Sequence, residues 1–262
     1  MHKTVMARSQ PEEIPAATLV VFRHAAKGGP PEILMVVRSR QMSFAGGMAV
    51  FPGGRVDVAD RDLAASLGHD LDEDEAAHRI AAIRETIEET GLAVGIAEPL
   101  NAETAAAIRA DLLEQGAIAP ILDRRKLSLD LGALVPFARW CPRGMEHSRI
   151  FDTRFYLADL GTGDVEIAID QTENTRLFWT TAQAALDAAN AGEISLIFPT
   201  RRNLERLALF ATFADARAQA TAIPATMIVP EIADRDGKPT LTIPADAGYP
   251  VTHEPLDRAV RS

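Results

Sequence analysis

Short β-branched runs alternate along the chain with stretches in which apolar residues recur at helical spacing. "ATLVVFRHA" (17–25) and "EILMVVRSR" (32–40) are separated by "AKGGPPE", and the pattern predicts two neighbouring strands or a hairpin. "MAVFPGGRV" (48–56) follows as a short apolar run ending in Pro52-Gly53-Gly54, where the backbone turns sharply and no side chain blocks a ligand. Residues 58–71 show no clean period and predict a loop with at most a helical turn. From Asp72 the period becomes helical. Asp72 is placed to cap the helix, with Glu75 three residues on as in a capping box, and Gly91 stands where helices commonly end in a left-handed residue.

On that helix Ile80, Ile83 and Ile87, with Ala76, share one side, while Glu85, Glu88 and Glu89 at i, i+3 and i+4 share the other. A second helix over 102–116 is closed by Gly116. Strands are expected at 133–141, 149–159, 165–169 and 176–179, and helices at 181–192 and 200–220. The last forty residues read as a Pro-bounded hairpin appended to the core. Interleaved strands and helices without an internal repeat place the chain in the α/β or α+β class.

Composition narrows the function. With 262 residues the chain is long enough for one sizeable core and an extension. Lys and Arg number 27 against 37 Asp and Glu, a net charge of −10, which argues against nucleic acid or an anionic membrane as partner. A phosphate-bearing ligand must therefore be met by a local arrangement. The single cysteine, Cys141, excludes an intrachain disulfide and a Cys-rich zinc cluster, and "ATLVVF" is too short to span a membrane. The expected location is the cytoplasm. His69 and His78 read as surface residues.

Three carboxylates within one helical turn repel each other by roughly 0.2–0.5 kcal/mol per pair when solvated and by far more when buried. A divalent cation reverses the sign, and all-oxygen coordination suits Mg²⁺ or Mn²⁺. The plain alternative is a solvated acidic face.

At this point the sequence resembles the Nudix hydrolases, whose box reads G, five residues, E, seven residues, then R-E-U-x-E-E-x-G-U with U aliphatic. "RETIEETGL" (84–92) matches the second half at every fixed position, with Thr86 in the first U slot. The first half departs: Gly54 lies about sixteen residues too far from Arg84, and the slot eight residues before Arg84 holds Ala76, with Glu75 adjacent. The excess reads as an insertion at about 58–71. Such an insertion and a "VFPGG" lead-in resemble the subset related to coenzyme A diphosphatases. Their further signature, R-S, three residues, R, three residues, G, three residues, F-P-G-G, is in register at Arg38-Ser39, Gly47 and Phe51-Pro52-Gly53-Gly54, with Ser43 in the second arginine slot and Arg40 nearby.

The resemblance implies an α/β/α sandwich with a central mixed sheet flanked by helices. The resemblance covers roughly residues 15–200; with the polar start up to Pro15 and the appended tail, the expected division is an arm at 1–14, a Nudix domain at 15–221 and an extension at 222–262. The resemblance implies Mg²⁺ or Mn²⁺ held by Glu85, Glu88 and Glu89, and catalysis by Glu85, Glu88 and a loop carboxylate. Glu173 is the candidate for that carboxylate, with Asp170 and Glu166 as rivals. Arg38, Gly53, Gly54 and Arg84 fall on the substrate side, Arg84 chiefly by orienting a box glutamate. The activity implied is metal-dependent hydrolysis of a pyrophosphate in a small-molecule nucleoside diphosphate derivative, with coenzyme A or an acyl derivative favoured. ADP-ribose, another nucleotide sugar, or a non-catalytic nucleotide-binding module are the alternatives, and a homodimer is left open.

Overall fold

A computed structural model of the chain describes residues 12–25, 28–42, 45–143, 149–161 and 174–259. In chain order its elements are β1 (Glu13–Arg23), β2 (Glu32–Arg38), β3 (Ala49–Val50), β4 (Gly53–Arg55), α1 (Val58–Ser66), α2 (Glu73–Thr90), α3 (Ala102–Gln115), α4 (Ala119–Arg125), β5 (Val135–Trp140), β6 (Ile150–Asp159), β7 (Asn174–Thr181), α5 (Ala182–Asn190), α6 (Phe198–Leu207), α7 (Phe213–Ala222), β8 (Met227–Ile228), β9 (Glu231–Arg235), β10 (Lys238–Thr242), β11 (His253–Pro255) and α8 (Leu256–Ala259). The main sheet runs β3-β2-β1-β6-β5-β8, with β4 also on β1 and β7 also on β2. It is mixed: β1 pairs β2 antiparallel and β6 in parallel, and β5 pairs β6 antiparallel and β8 in parallel.

Strand β1 shows why "ATLVVF" carries no polar alternation. Ala17, Leu19 and Val21 pack with α1 to α4 on one face of the sheet, while Val20 and Phe22 pack with α5, α6 and α7 on the other. A strand covered on both sides is apolar at every position. The result is the helix–sheet–helix sandwich with a central mixed sheet.

Several local expectations change. Residues 58–66 form α1, packed on α2 through Leu63 and Ala64. The helix expected over 200–220 is two helices: Thr212 caps α7 by accepting from the N–H of Asp215 at 3.1 Å, which starts a new helix after the break. His78 is buried, with Nδ1 2.6 Å from the Asp74 carbonyl. The strand expected at 165–169 lies outside the described residues. Among the described residues no helix is long and apolar enough to cross a membrane.

The segment after 222 does more than form a hairpin. Strands β9 and β10 make one, turning at Asp236-Gly237 with both φ angles positive, and β11 adds a third strand. Strand β8 joins the main sheet beside β5, and Tyr249 is driven into the core. The Tyr249 hydroxyl accepts from Trp140 Nε1 at 2.9 Å and donates to Asn203 Oδ1 at 2.7 Å. The buried Arg206 lies over the rings of Phe137 (4.0 Å) and Tyr249 (5.3 Å) and donates to the Phe137 carbonyl and to Gln219. These contacts make the extension part of the core that supports β5.

Tyr249→Phe leaves the Trp140 N–H and the Asn203 carbonyl buried without their partner, so stability is expected to fall by about 1–3 kcal/mol, read from the urea midpoint. An unchanged midpoint would show that the extension does not hold the core.

Candidate active site

Helix α2 is fixed at both ends and along one face. Asp72 accepts from the N–H groups of Asp74 at 3.0 Å and Glu75 at 3.3 Å, and Gly91 (φ 76°) closes the helix with its N–H on the Ile87 carbonyl. The reciprocal half of the expected capping box does not form. Glu75 turns instead to Arg79 (2.9 Å), Arg154 (2.8 Å) and the Tyr156 hydroxyl (3.1 Å). Arg154 is thereby engaged by α2, through Glu75 and Asp74. Ile80, Ile83 and Ile87 are fully buried beneath the sheet. Thr86 joins them in an aliphatic slot because its hydroxyl donates to the Ala82 carbonyl at 2.7 Å and so needs no water.

The glutamate edge is not a solvated face. Glu89 is 4% exposed, and Glu85 and Glu88 are half-buried. Arg84, 3% exposed, runs among them. Its Nη1 donates to Glu85 Oε1 at 2.9 Å and Glu88 Oε2 at 3.1 Å. Its Nε and Nη2 donate to the two oxygens of Asp60 at 3.0 and 2.9 Å, and Nη2 also reaches the Arg55 carbonyl at 2.9 Å. Burial opposes the charge on Arg84, but Asp60, Glu85 and Glu88 overcome it and raise its pKa.

Asp60 is the residue the sequence reading missed. It sits six residues after Gly54, the spacing at which the box that the sequence resembles carries its first acidic residue. The signal was legible by counting forward from the glycine; counting back from Arg84 led to Ala76 instead. Helix α1 brings Asp60 to the arginine, and the Asp57 N–H donates to Asp60 Oδ2 at 2.9 Å.

Two glycines let this cluster meet the sheet. A Cβ on Gly53 would stand 2.4 Å from the Ala17 carbonyl, and its N–H donates to Glu89 Oε2 at 3.1 Å. A Cβ on Gly54 would stand 2.3 Å from the Glu85 carboxylate. Asn174, fully buried at the start of β7, is near enough to favour the charged form of Glu89, yet neither of its amide atoms is in a well-formed hydrogen bond.

Crowding and burial act on the carboxylates together. Burial, then Glu85 and Asp60, push Glu88 up to about 7 against the pull of Arg84. Burial and Glu85 push Glu89 up to about 8. Burial also raises Glu85, against Arg84. These groups resist ionisation chiefly because they are buried, and the neighbouring carboxylates add to it.

The donor set fits a hard divalent cation, since it is all oxygen and its carboxylates outnumber the one guanidinium among them. Among the described residues no three such side chains are yet gathered about one point, because Glu85 and Glu88 are turned onto Arg84. Binding an ion would require Glu85 and Glu88 to divide their oxygens between it and Arg84.

One cavity of about 700 Å³ is lined by Arg38, Gly53, Gly54, Arg84, Glu85, Glu88 and Glu89. Phe51, Trp140, Phe151 and Phe155 add aromatic surface to the same lining, with Arg149. Glu173, Asp170, Glu166 and Ser43 lie outside the described residues. Cys141 is buried and its thiol pKa is raised by that burial, so it is no nucleophile.

The chain is similar to the NUDIX hydrolase from Alicyclobacillus acidocaldarius in its crystal structure, at 30% identity over 79% of this chain and 96% of that one, with a TM-score of 0.68. More distant in fold is the NUDIX domain of Shewanella oneidensis NrtR complexed with ADP ribose, at 13% identity over 74% of this chain and 85% of that one, TM-score 0.43. No family model and no curated protein matches the chain.

Gly54→Ala drives a methyl into the Glu85 carboxylate, so divalent cations should protect the variant from thermal unfolding less than they protect the parent; equal protection would contradict the geometry. A second expectation concerns pH. Glu89, raised to about 8 in the fold, binds a proton there more tightly than in the unfolded chain. Its contribution to stability is full below the unfolded carboxylate pKa and is lost as pH rises through its folded pKa. In chelator, Glu89→Gln should therefore flatten the fall in stability between about pH 5 and about pH 8, whereas an unchanged slope would place that fall elsewhere.

Proposed function

The chain belongs to the Nudix hydrolases, and on that premise we propose that it cleaves the pyrophosphate of coenzyme A or an acyl-coenzyme A, with Mg²⁺ or Mn²⁺ held by Glu85, Glu88 and Glu89. The observation that carries the reading is the crowding of those carboxylates, with raised pKa values, on a cavity whose lining also includes aromatic side chains. The bound ion would neutralise phosphate charge and lower the pKa of a bound water.

The chain's own residues supply position and environment. Arg84 is a positioning residue: buried on Asp60, it holds Glu85 and Glu88 at the cavity wall and leaves substrate contact to others. Gly53 and Gly54 let the cluster approach the sheet without a side chain between them. Arg38 lines the same cavity and is suited to a phosphate oxygen. Phe51, Phe155 and Trp140 present an apolar wall to the organic part of the substrate and keep bulk water from it. In the reaction a water oxygen bonds to one phosphorus, the bond from that phosphorus to the bridging oxygen breaks, and two phosphate monoesters leave carrying the elements of water. The coenzyme A choice is supported by the spacing of Arg38-Ser39, Gly47 and Phe51-Pro52-Gly53-Gly54, which sets Arg38 on the same cavity as the glutamates.

A panel of coenzyme A, ADP-ribose, NADH and diadenosine polyphosphates, each with Mg²⁺ or Mn²⁺, tests the reading. Turnover of coenzyme A to adenosine 3′,5′-bisphosphate and phosphopantetheine is expected. Turnover of ADP-ribose alone would move the assignment to nucleotide sugars, and no turnover at all would leave a binding module. Glu88→Gln is expected to lower kcat by more than about 100-fold while the metal-free protein melts no lower, because a crowded charge is removed.

A further inference from the structure

A second cleft, of about 610 Å³, opens between the β2–β3 loop, the start of β7 and the turn after α5. Arg38, Arg40 and Arg176 line it with Ser39 and Ser195, and among the described residues Glu193 is its one carboxylate. In a chain of net charge −10, three arginines on one cleft are a local construction rather than part of a basic surface. Like charges brought together repel unless an anion lies between them.

The cleft is built from folded backbone. The N–H of Arg38 donates to the Met48 carbonyl and that of Gly47 to the Arg38 carbonyl, each at 3.0 Å, which closes the loop. A Cβ on Gly46 would stand 2.8 Å from the Met42 carbonyl, and Gly47 (φ 77°) lets the stem of Arg40 pass where its own Cβ would be only 3.3 Å away. Arg176 sits opposite Val37 in the β2–β7 ladder, with its guanidinium over the Phe178 ring at 4.7 Å. Among the described residues neither Arg40 nor Arg176 has a carboxylate partner. The N–H of Ala49 donates to the Ser195 carbonyl at 2.8 Å and ties the third wall to the sheet.

We infer that this cleft is the subsite for a phosphate monoester that the substrate carries outside its scissile pyrophosphate. Guanidinium forks bind phosphate oxygens in pairs, and the flanking hydroxyls donate to the rest. Arg38 lines both cavities, so one ligand can span them, with its diphosphate beside the glutamates and its second phosphate on Arg40 and Arg176. A nucleoside diphosphate derivative with a phosphate on its ribose has that layout. The inference rests on the hydrolase reading above for its ligand, and free inorganic phosphate is the other source of the same chemistry.

Two measurements decide it. In chelator, calorimetry with adenosine 3′,5′-bisphosphate, AMP and inorganic phosphate reads the cleft without turnover. The bisphosphate should bind at least about tenfold more tightly than AMP, and Arg40→Ala and Arg176→Ala should remove that margin. With metal, the KM for coenzyme A should lie below that for 3′-dephospho-coenzyme A, and the two should converge in the variants with kcat held. Both arginines are exposed, so Tm should not move. Equal KM values in the parent, a ratio that survives both substitutions, or inorganic phosphate binding as tightly as the bisphosphate would each overturn the inference. If coenzyme A is not turned over at all, the substrate reading fails by itself and the calorimetric margin still decides the cleft.

Discussion

The guanidinium of Arg84 is the constraint on which the carboxylate site depends. It is buried, and a buried charge persists only when its donors are matched. Asp60 takes two of them, Glu85 and Glu88 share a third, and the Arg55 carbonyl accepts as well. This one side chain therefore ties α1, α2 and the glycine turn into a single unit. It also leaves the site deliberately short of positive charge, since Glu89 stands apart from it against Gly53. The raised pKa values of Glu88 and Glu89 record their burial first and the carboxylates crowded beside them second.

The sheet sets where the unit faces. Strand β1 buries Leu19 and Val21 under α2 and Val20 and Phe22 under the opposite helices, so α2 cannot rotate without exposing its isoleucines. Rotation is what would carry the glutamates away from the glycine turn. On the opposite face, Tyr249 and Arg206 brace β5 from below, and β5 contributes Trp140 to the wall of the cavity. The C-terminal segment thus acts on the site through packing, with no residue of its own on the lining described.

The arginine cleft extends the same logic to the other side of Arg38. An acidic protein that handles a polyanion must place each positive charge where a particular phosphate will sit, because its overall field repels the ligand. The loop glycines at 46 and 47 serve that placement, much as Gly53 and Gly54 serve the glutamates.

Local chemistry wrote much of this plainly. The caps of α2 at Asp72 and Gly91, the isoleucine face, the glutamate edge and the glycine turn depend on residues close in sequence, and periodicity with turn chemistry is enough to read them. Helix α1 was less legible because its apolar face is only Leu63 and Ala64, a pattern too sparse to show a period. The burial of His78, the loss of Glu75 to Arg154 and Tyr156, and the seating of Tyr249 against Trp140 join residues far apart in the chain. The sequence by itself determined which carboxylates stand on one side of one helix. Only the tertiary structure decided that they are buried, that Asp60 shares their arginine, and that Arg40 and Arg176 line one cleft, because each depends on which surfaces the sheet brings together.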